Sequence, residues 1–324
     1  MSTQAPRPSV VVVGGGHGCS RSLAALARLD VARTAIVTVA DDGGSSGRLR
    51  RDHDVVALGD LRMATLALAD GVDDGLQRDL RALAVRRFGR GELAGHSLGN
   101  LLLLGLLEEH DGDLLAALGR FAALVGADGR VLPATTHPVD LEAHTASGTV
   151  AGQAAVATTR RILDVRLSPA RPPAAAGVTD ALRDADLVLL GPGSLYTSIL
   201  PVLLVDGVAE ALASTPATVV LVGNLREQPG ETEGMDLADH VAALRQHVPE
   251  LRLDVVLAHV PGREGGGTET RSQVAALAID EERILADGAQ LVRARLGEER
   301  DGHDPVRLAE AVHDLLRADR SALR

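Results

Sequence analysis

The residues of this chain that could do chemistry lie in short runs rich in glycine, hydroxyl and carboxylate. The first is Gly14-Gly15-Gly16-His17-Gly18. Glycines let backbone N–H groups approach a phosphate, and a helix start behind them adds the positive end of its dipole. The strict Gly-x-Gly-x-x-Gly dinucleotide spacing is not met, because Cys19 takes the last position counted from Gly14. A tight turn without ligand is the plainer alternative. His17 by itself argues for no metal, and Cys19 reads as a small packed residue rather than a nucleophile.

The second run is Asp41-Asp42-Gly43-Gly44-Ser45-Ser46-Gly47-Arg48-Leu49-Arg50, read here as a loop between buried elements. Its two acids could hold a ribose, a base or a cation. Its serines and backbone offer donors, and its arginines can pair with phosphate. Close by, Asp60 stands at a helix start, where it serves as an N-cap, a ligand contact or both. Gly95-His96-Ser97-Leu98-Gly99-Asn100 matches the Gly-x-Ser-x-Gly nucleophile elbow. That elbow needs a strand immediately before it. The preceding Arg86–Ala94 is polar and broken by glycine, so we expect instead a loop entering a helix, with His96, Ser97 and Asn100 lent to a ligand crevice.

Gly191-Pro192-Gly193-Ser194-Leu195-Tyr196-Thr197-Ser198 follows an apolar run directly and suits a second anion or ribose site. Tyr196 could stack on a base or simply pack. Asn224, with Gln228 four residues on, either reads a base edge or sits in a turn. The histidines are scattered and show no zinc spacing. Mg²⁺ on Asp41, Asp42 or Asp60, shared with phosphates, stays open.

The elements that must position these runs are legible as apolar segments. Ser9–Val13, Thr34–Ala40, Asp186–Leu190, Thr218–Val222 and Leu253–Ala258 read as buried strands, most of them halted by glycine-rich turns. Ser20–Leu29, Asp60–Ala69, the stretch after Gly99 and Pro305–Leu316 read as helices. Strand alternating with helix implies right-handed crossovers and a parallel sheet. Ligands of such sheets bind beyond the carboxyl ends of the strands, where these runs would gather. Residues 130–167 break the pattern with short β-type pieces, read as an antiparallel excursion, and Arg263–Thr270 reads as a mobile loop. Gln290–Arg295 adds a last strand. The expectation is one α/β domain over residues 1–324, Rossmann-like, in three layers with a mainly parallel sheet.

Composition narrows the class. The 324 residues include one cysteine and no tryptophan, so neither an intrachain disulfide nor a cysteine metal cluster can form. All the basic residues are arginine, which removes lysine Schiff-base and P-loop lysine chemistry. A formal net charge of −11 argues against a general nucleic-acid or anionic-membrane binder. No signal peptide or membrane span is recognisable, so the expected location is cytoplasmic, with no membrane insertion.

Taken together and in order, these runs resemble the CofD/YvcK superfamily, most closely its YvcK-type gluconeogenesis factors. The resemblance rests on Gly14–Gly18, Ala40–Arg50, Gly95–Asn100, Gly191–Pro201 and Gln228-Pro229-Gly230-Glu231-Thr232. It implies a Rossmann-like CofD fold that binds UDP-sugars such as UDP-N-acetylglucosamine. It also implies a role in cell shape and peptidoglycan synthesis on gluconeogenic carbon, with a cell-wall protein partner that the sequence does not identify. Under this resemblance Gly14–Gly18 and Gly191–Ser194 bind diphosphate or ribose, Asp41 and Asp42 orient the ligand, and Asn224 meets the base. The alternative is a CofD-type transferase that passes a phospholactyl group from a guanylylated donor to a deazaflavin with Mg²⁺. NAD could enter the same crevice through its pyrophosphate, and a homodimer stays open. Two departures stand out. Gly59-Asp60-Leu61-Arg62-Met63 replaces the Pro-Asp-Leu-Asp-Thr of CofD-type chains, so Arg62 disfavours a cation and favours a phosphate. His17 replaces the threonine of many YvcK-type chains and removes a small hydroxyl.

Overall fold

The computed structural model describes residues 6–69, 75–261, 276–298 and 302–318. The expected loop at Arg263–Thr270 lies outside them. The chain opens with β1 (Ser9–Gly14), α1 (Gly16–Leu26), β2 (Ala32–Val37), α2 (Gly44–His53), α3 (Gly59–Leu68), α4 (Gly75–Val85), α5 (Leu98–Glu109), α6 (Leu114–Val125) and β3 (Arg130–Pro133). A β-rich stretch follows: β4 (Asp140–Thr145), β5 (Gly148–Ala151), α7 (Gln153–Val156) and β6 (Asp164–Ser168). The last part holds α8 (Val178–Arg183), β7 (Leu187–Leu190), α9 (Leu200–Leu203), α10 (Val208–Ser214), β8 (Thr218–Val222), α11 (Leu237–His247), β9 (Val255–His259), α12 (Glu281–Ala286), β10 (Gln290–Ala294) and α13 (Pro305–Arg317).

Seven strands form one sheet in the order β10-β9-β8-β7-β1-β2-β3, with every neighbouring pair parallel. Parallel strands covered on both faces read as unbroken apolar runs. Val10 to Val13 of β1 and Val255 to Ala258 of β9 accordingly have no exposure at all. The chain builds outward from β1 to β3, then returns to β7 on the other side of β1 and builds outward again. Right-handed crossovers therefore place the connecting helices of the two halves on opposite faces, while the C-terminal α13 returns to pack on α1. The reversal falls between β1 and β7, which makes their carboxyl ends the switch point of the sheet. Among the described residues no helix is long and apolar enough to cross a membrane.

Three expectations are corrected. Arg130–Pro133 does not belong to the antiparallel excursion: it pairs parallel with β2 and closes one edge of the main sheet. A four-residue edge strand carries no local mark of its partner. The excursion is the antiparallel sheet β5-β4-β6, turned at Ser147-Gly148. The Asp41–Arg50 run is not an open loop, because α2 begins at Gly44 and continues to His53. Gly and Ser are weak helix formers, but Ser45, Ser46 and Gly47 are buried there, and packing overrides propensity. Finally, α1 begins at Gly16, so the last three residues of the first glycine run form the opening turn of a helix.

Candidate functional site

Two glycine turns meet at the switch point. A Cβ on Gly18 would stand 2.0 Å from the Pro192 carbonyl oxygen, so the first turn of α1 lies directly on the Gly-Pro-Gly turn. A Cβ on Gly14 would stand 3.9 Å from Gly191 Cα, and one on Gly193 3.8 Å from the Gly15 carbonyl oxygen. The Ser22 hydroxyl of α1 donates to the Gly191 carbonyl at 3.1 Å, tying the two turns together. Gly191 and Gly193 take φ of +80° and +146°, conformations that side-chain-bearing residues rarely adopt.

Under the first turn lies a carboxylate. Asp60 Oδ2 accepts the Gly16 N–H at 2.9 Å. It sits in the first turn of α3 behind Leu58, so it is not the N-cap. Burial pushes its carboxyl up to about 6, and the neighbouring Asp41 adds to the rise, against the Gly16 N–H and Arg62. Asp41 folds back on its own turn, with Oδ1 accepting the Gly43 N–H at 2.9 Å. Gly15 fits between these groups only as glycine, since a Cβ would meet Asp60 Oδ2 at 2.6 Å and Thr38 Cγ2 at 2.7 Å. The Ser198 hydroxyl lies 3.5 Å from the same point, so the acid pair and the Gly-Pro-Gly segment share one rim. Asp42 differs from Asp41: its Oδ1 accepts the Ala154 N–H at 2.8 Å and holds the start of α7.

The next layer comes from α2 and α5. Asn100 Nδ2 donates to Ser45 Oγ at 3.0 Å, and Ser45 Oγ lies 3.0 Å from His96 Nδ1. The direction of the Ser45–His96 bond follows the ring tautomer. Burial, then Arg48, lowers the His96 pKa, against a smaller opposing pull from Asp52. Ser46 Oγ accepts the Gly59 N–H at 3.2 Å, and Arg48 donates to the Ala94 carbonyl at 2.7 Å. Ser97, at the centre of the elbow-like motif, is wholly buried and caps α5 by accepting the Asn100 N–H. Residues 88–96 before it form no strand. Arg62 is buried beside Ala84 and donates to that carbonyl at 3.1 Å.

The Gly-Pro-Gly turn is held from β8. Asn224 Oδ1 accepts the Gly193 N–H at 3.1 Å, while its Nδ2 donates to the Gly193 carbonyl at 3.0 Å and to Gln228 Oε1 at 3.2 Å. Gln228 Nε2 in turn donates to Ser194 Oγ at 2.8 Å. The amide expected to read a base is therefore spent on setting the turn. Replacing Asn224 with alanine removes these bonds at once. We expect a loss of about 1–2 kcal/mol, visible in thermal melts; an unchanged melting temperature would mean that the turn sets itself. Tyr196 is a core residue rather than a platform for a base. It is 4% exposed and meets the His247 ring edge-on at 6.0 Å, and burial lifts its hydroxyl to about 12.

Two features were not singled out from the sequence. Glu231, within the Gln228–Thr232 block, is buried behind the Ser194 turn. A groove of about 580 Å³ opens along the outer side of α1, lined by His17, Ser20, Arg21, Arg28 and Pro305 among others. Arg21 and Arg28 are exposed there. The spacing of His17 and Arg21, four residues apart, is the signal that places them on one face of α1, with Arg28 just past its end.

Comparison with known proteins agrees with this architecture. The family model described as 2-phospho-L-lactate transferase CofD matches residues 10–296. The "Putative gluconeogenesis factor" of Deinococcus radiodurans is 48% identical over 244 residues, which cover 74% of this chain and 51% of that protein. This chain thus spans about half the length of that relative. The "Gluconeogenesis factor" of Bacillus subtilis is 37% identical over 320 residues, 96% of this chain and 99% of that one. A crystal structure of a UPF0052 family member from Bacillus halodurans superposes with a TM-score of 0.86 at 34% identity, covering 96% of this chain and 100% of its own. The fold, the order of the glycine runs and these likenesses converge: the chain belongs to the CofD family, among relatives named gluconeogenesis factors.

Proposed function

We propose that this protein binds a nucleotide sugar of the UDP-N-acetylglucosamine type across the switch point. In this reading it is a cytoplasmic regulatory protein that supports cell shape and peptidoglycan synthesis on gluconeogenic carbon. The observation that carries the reading is the contact of Gly18 with Pro192, which joins two glycine turns from adjacent strands into one anion-receiving rim. The diphosphate would lie over the backbone of Gly14–Gly18 and Gly191–Ser194, near the helix start at Gly16. His17, in the first of these glycine runs, also lines the groove along α1.

Binding is tested by thermal shift with UDP-N-acetylglucosamine, UDP-glucose, GDP and NAD. A ligand at about 100 times its Kd adds about 2.7 kcal/mol of stability. We expect a rise of a few degrees with the uridine ligands; no rise with either would defeat the proposal. Ser194→Ala should weaken binding about five- to tenfold, the worth of one hydrogen bond, and cost the free protein about 1 kcal/mol because Gln228 Nε2 loses its acceptor.

The name of the matched family model favours a second reading, phospholactyl transfer to a deazaflavin. Asp41 and Asp60 each keep one carboxylate oxygen outside the bonds described, and Mg²⁺ typically takes one or two carboxylates together with phosphates. These two residues would hold the ion, which would supply charge neutralisation at the transferred phosphoryl group. Formation of the coupled deazaflavin product from authentic donor separates this reading from the first.

A further inference from the structure

We propose that Glu231 is a positioning residue that decides whether the Ser194 hydroxyl can donate a hydrogen bond to an anionic ligand. The inference deepens the nucleotide-sugar reading and rests on it. Glu231 is 3% exposed, and neither of its carboxylate oxygens has a partner with hydrogen-bond geometry. Thr197 Oγ1, in a residue 1% exposed, is likewise unpartnered. Buried polar groups left without partners are few in native proteins and ask for a reason. The chain before Glu231 is closely packed: Gly230 has φ of +95°, and a Cβ there would stand 2.7 Å from the Ala157 carbonyl.

The groups facing the carboxyl are the Ser194 and Thr197 hydroxyls and the Thr197 N–H, close to it but outside good hydrogen-bond geometry. Ser194 Oγ already accepts from Gln228 Nε2 at 2.8 Å. A hydroxyl has one proton to give. When Glu231 is ionised, its carboxylate takes that proton and Ser194 offers a ligand nothing but lone pairs. When Glu231 is neutral, its own O–H turns to Thr197 Oγ1, and the Ser194 proton is free for a phosphate or sugar oxygen. Burial pushes the carboxyl up to about 7, while the two hydroxyls and the Thr197 N–H pull the other way. The nearby titratable groups do not offset that burial. Tyr196 on the same turn stays neutral, and His240 on α11 is driven down to about 4 by burial. Asp239 is engaged by the Asp236 N–H and by Arg283, and Glu233 pairs with Arg160.

The test is calorimetric titration of the full chain with UDP-N-acetylglucosamine between pH 6 and 8, a window in which the ligand's own diphosphate does not titrate. For the wild type, the fraction in the binding-competent neutral form falls about tenfold across that window, and apparent affinity falls with it. Glu231→Gln, a fixed neutral mimic, should keep the pH 6 affinity throughout. The same pH profile in Glu231→Gln and wild type would overturn the proposal. Should the variant not fold, wild-type titrations in two buffers of different ionisation enthalpy give an independent reading. Binding at pH 8 should then take up about 0.9 proton per ligand, and no uptake would overturn the proposal equally. Absence of binding at every pH would remove the nucleotide-sugar reading, and this inference with it; binding without the pH effect would remove this inference alone.

Discussion

Gly18→Ala is expected to abolish nucleotide-sugar binding and to lower the melting temperature by about 5 °C. The added methyl would stand 2.0 Å from the Pro192 carbonyl oxygen and 2.6 Å from its carbon. Both are backbone atoms, so no side chain can rotate away to make room. Either α1 or the Gly-Pro-Gly turn must move, and the rim opens between them. Overpacking of this kind costs about 1–3 kcal/mol, and this approach belongs at the top of that range. Gly105→Ala on α5 is the matched control. Nothing lies within 4 Å of its would-be Cβ, and replacing a helical glycine there should raise stability slightly and leave binding untouched. Thermal melts and calorimetry on the two variants decide the matter. Affinity within twofold of wild type for Gly18→Ala would separate the turn contact from ligand binding.

Asp60→Asn should stabilise the free protein at pH 8 and lose that advantage in acid. The carboxyl is held at about 6 in the fold against an ordinary value near 3.8. The folded state therefore binds a proton that the unfolded chain has released, and stability falls as pH rises from about 4 to about 6. Above that window the native aspartate carries the full penalty of its buried charge and its repulsion by Asp41. Asparagine can still accept the Gly16 N–H but has no charge to bury. The gain is at most about 3 kcal/mol, reduced to the extent that water screens this half-buried group. Melting curves of both proteins from pH 3 to 8 should converge at the acid end. Parallel curves would show that Asp60 ionises as freely in the fold as outside it.

How much of this was legible depended on the range of the interaction concerned. The buried strands β1, β2, β7, β8 and β9 could be read because each is an apolar run, and burial on both faces leaves no alternation to confuse the reading. The gathering of glycine runs at one rim followed from the same parallel order. What escaped was set by distant contacts. Ser45 and Ser46 are helical because His96, Asn100 and Gly59 meet their hydroxyls, across 13 to 55 residues of chain. Asp41 and Asp42 look alike as neighbours, yet one folds onto Gly43 and the other reaches Ala154. Asn224 and Tyr196 have the right chemistry to touch a base, but one is absorbed by the Gly193 backbone and the other by the core. Glu231 was visible as a letter in a motif. Its burial depends on how Gly230 packs against Ala157, which no local pattern encodes.

The place of β1 in the sheet also bears on how the protein is made. Its left and right neighbours, β2 and β7, begin at Ala32 and Leu187. A chain emerging from the ribosome can pair one side of β1 almost at once, while the other side waits for some 150 further residues of synthesis. Throughout that interval the apolar stretch Val10–Val13 presents an open edge, the kind of surface that invites pairing with the wrong chain. The N-terminal half made alone would keep that edge for good, so dissecting this protein into fragments should yield aggregates rather than half-sites.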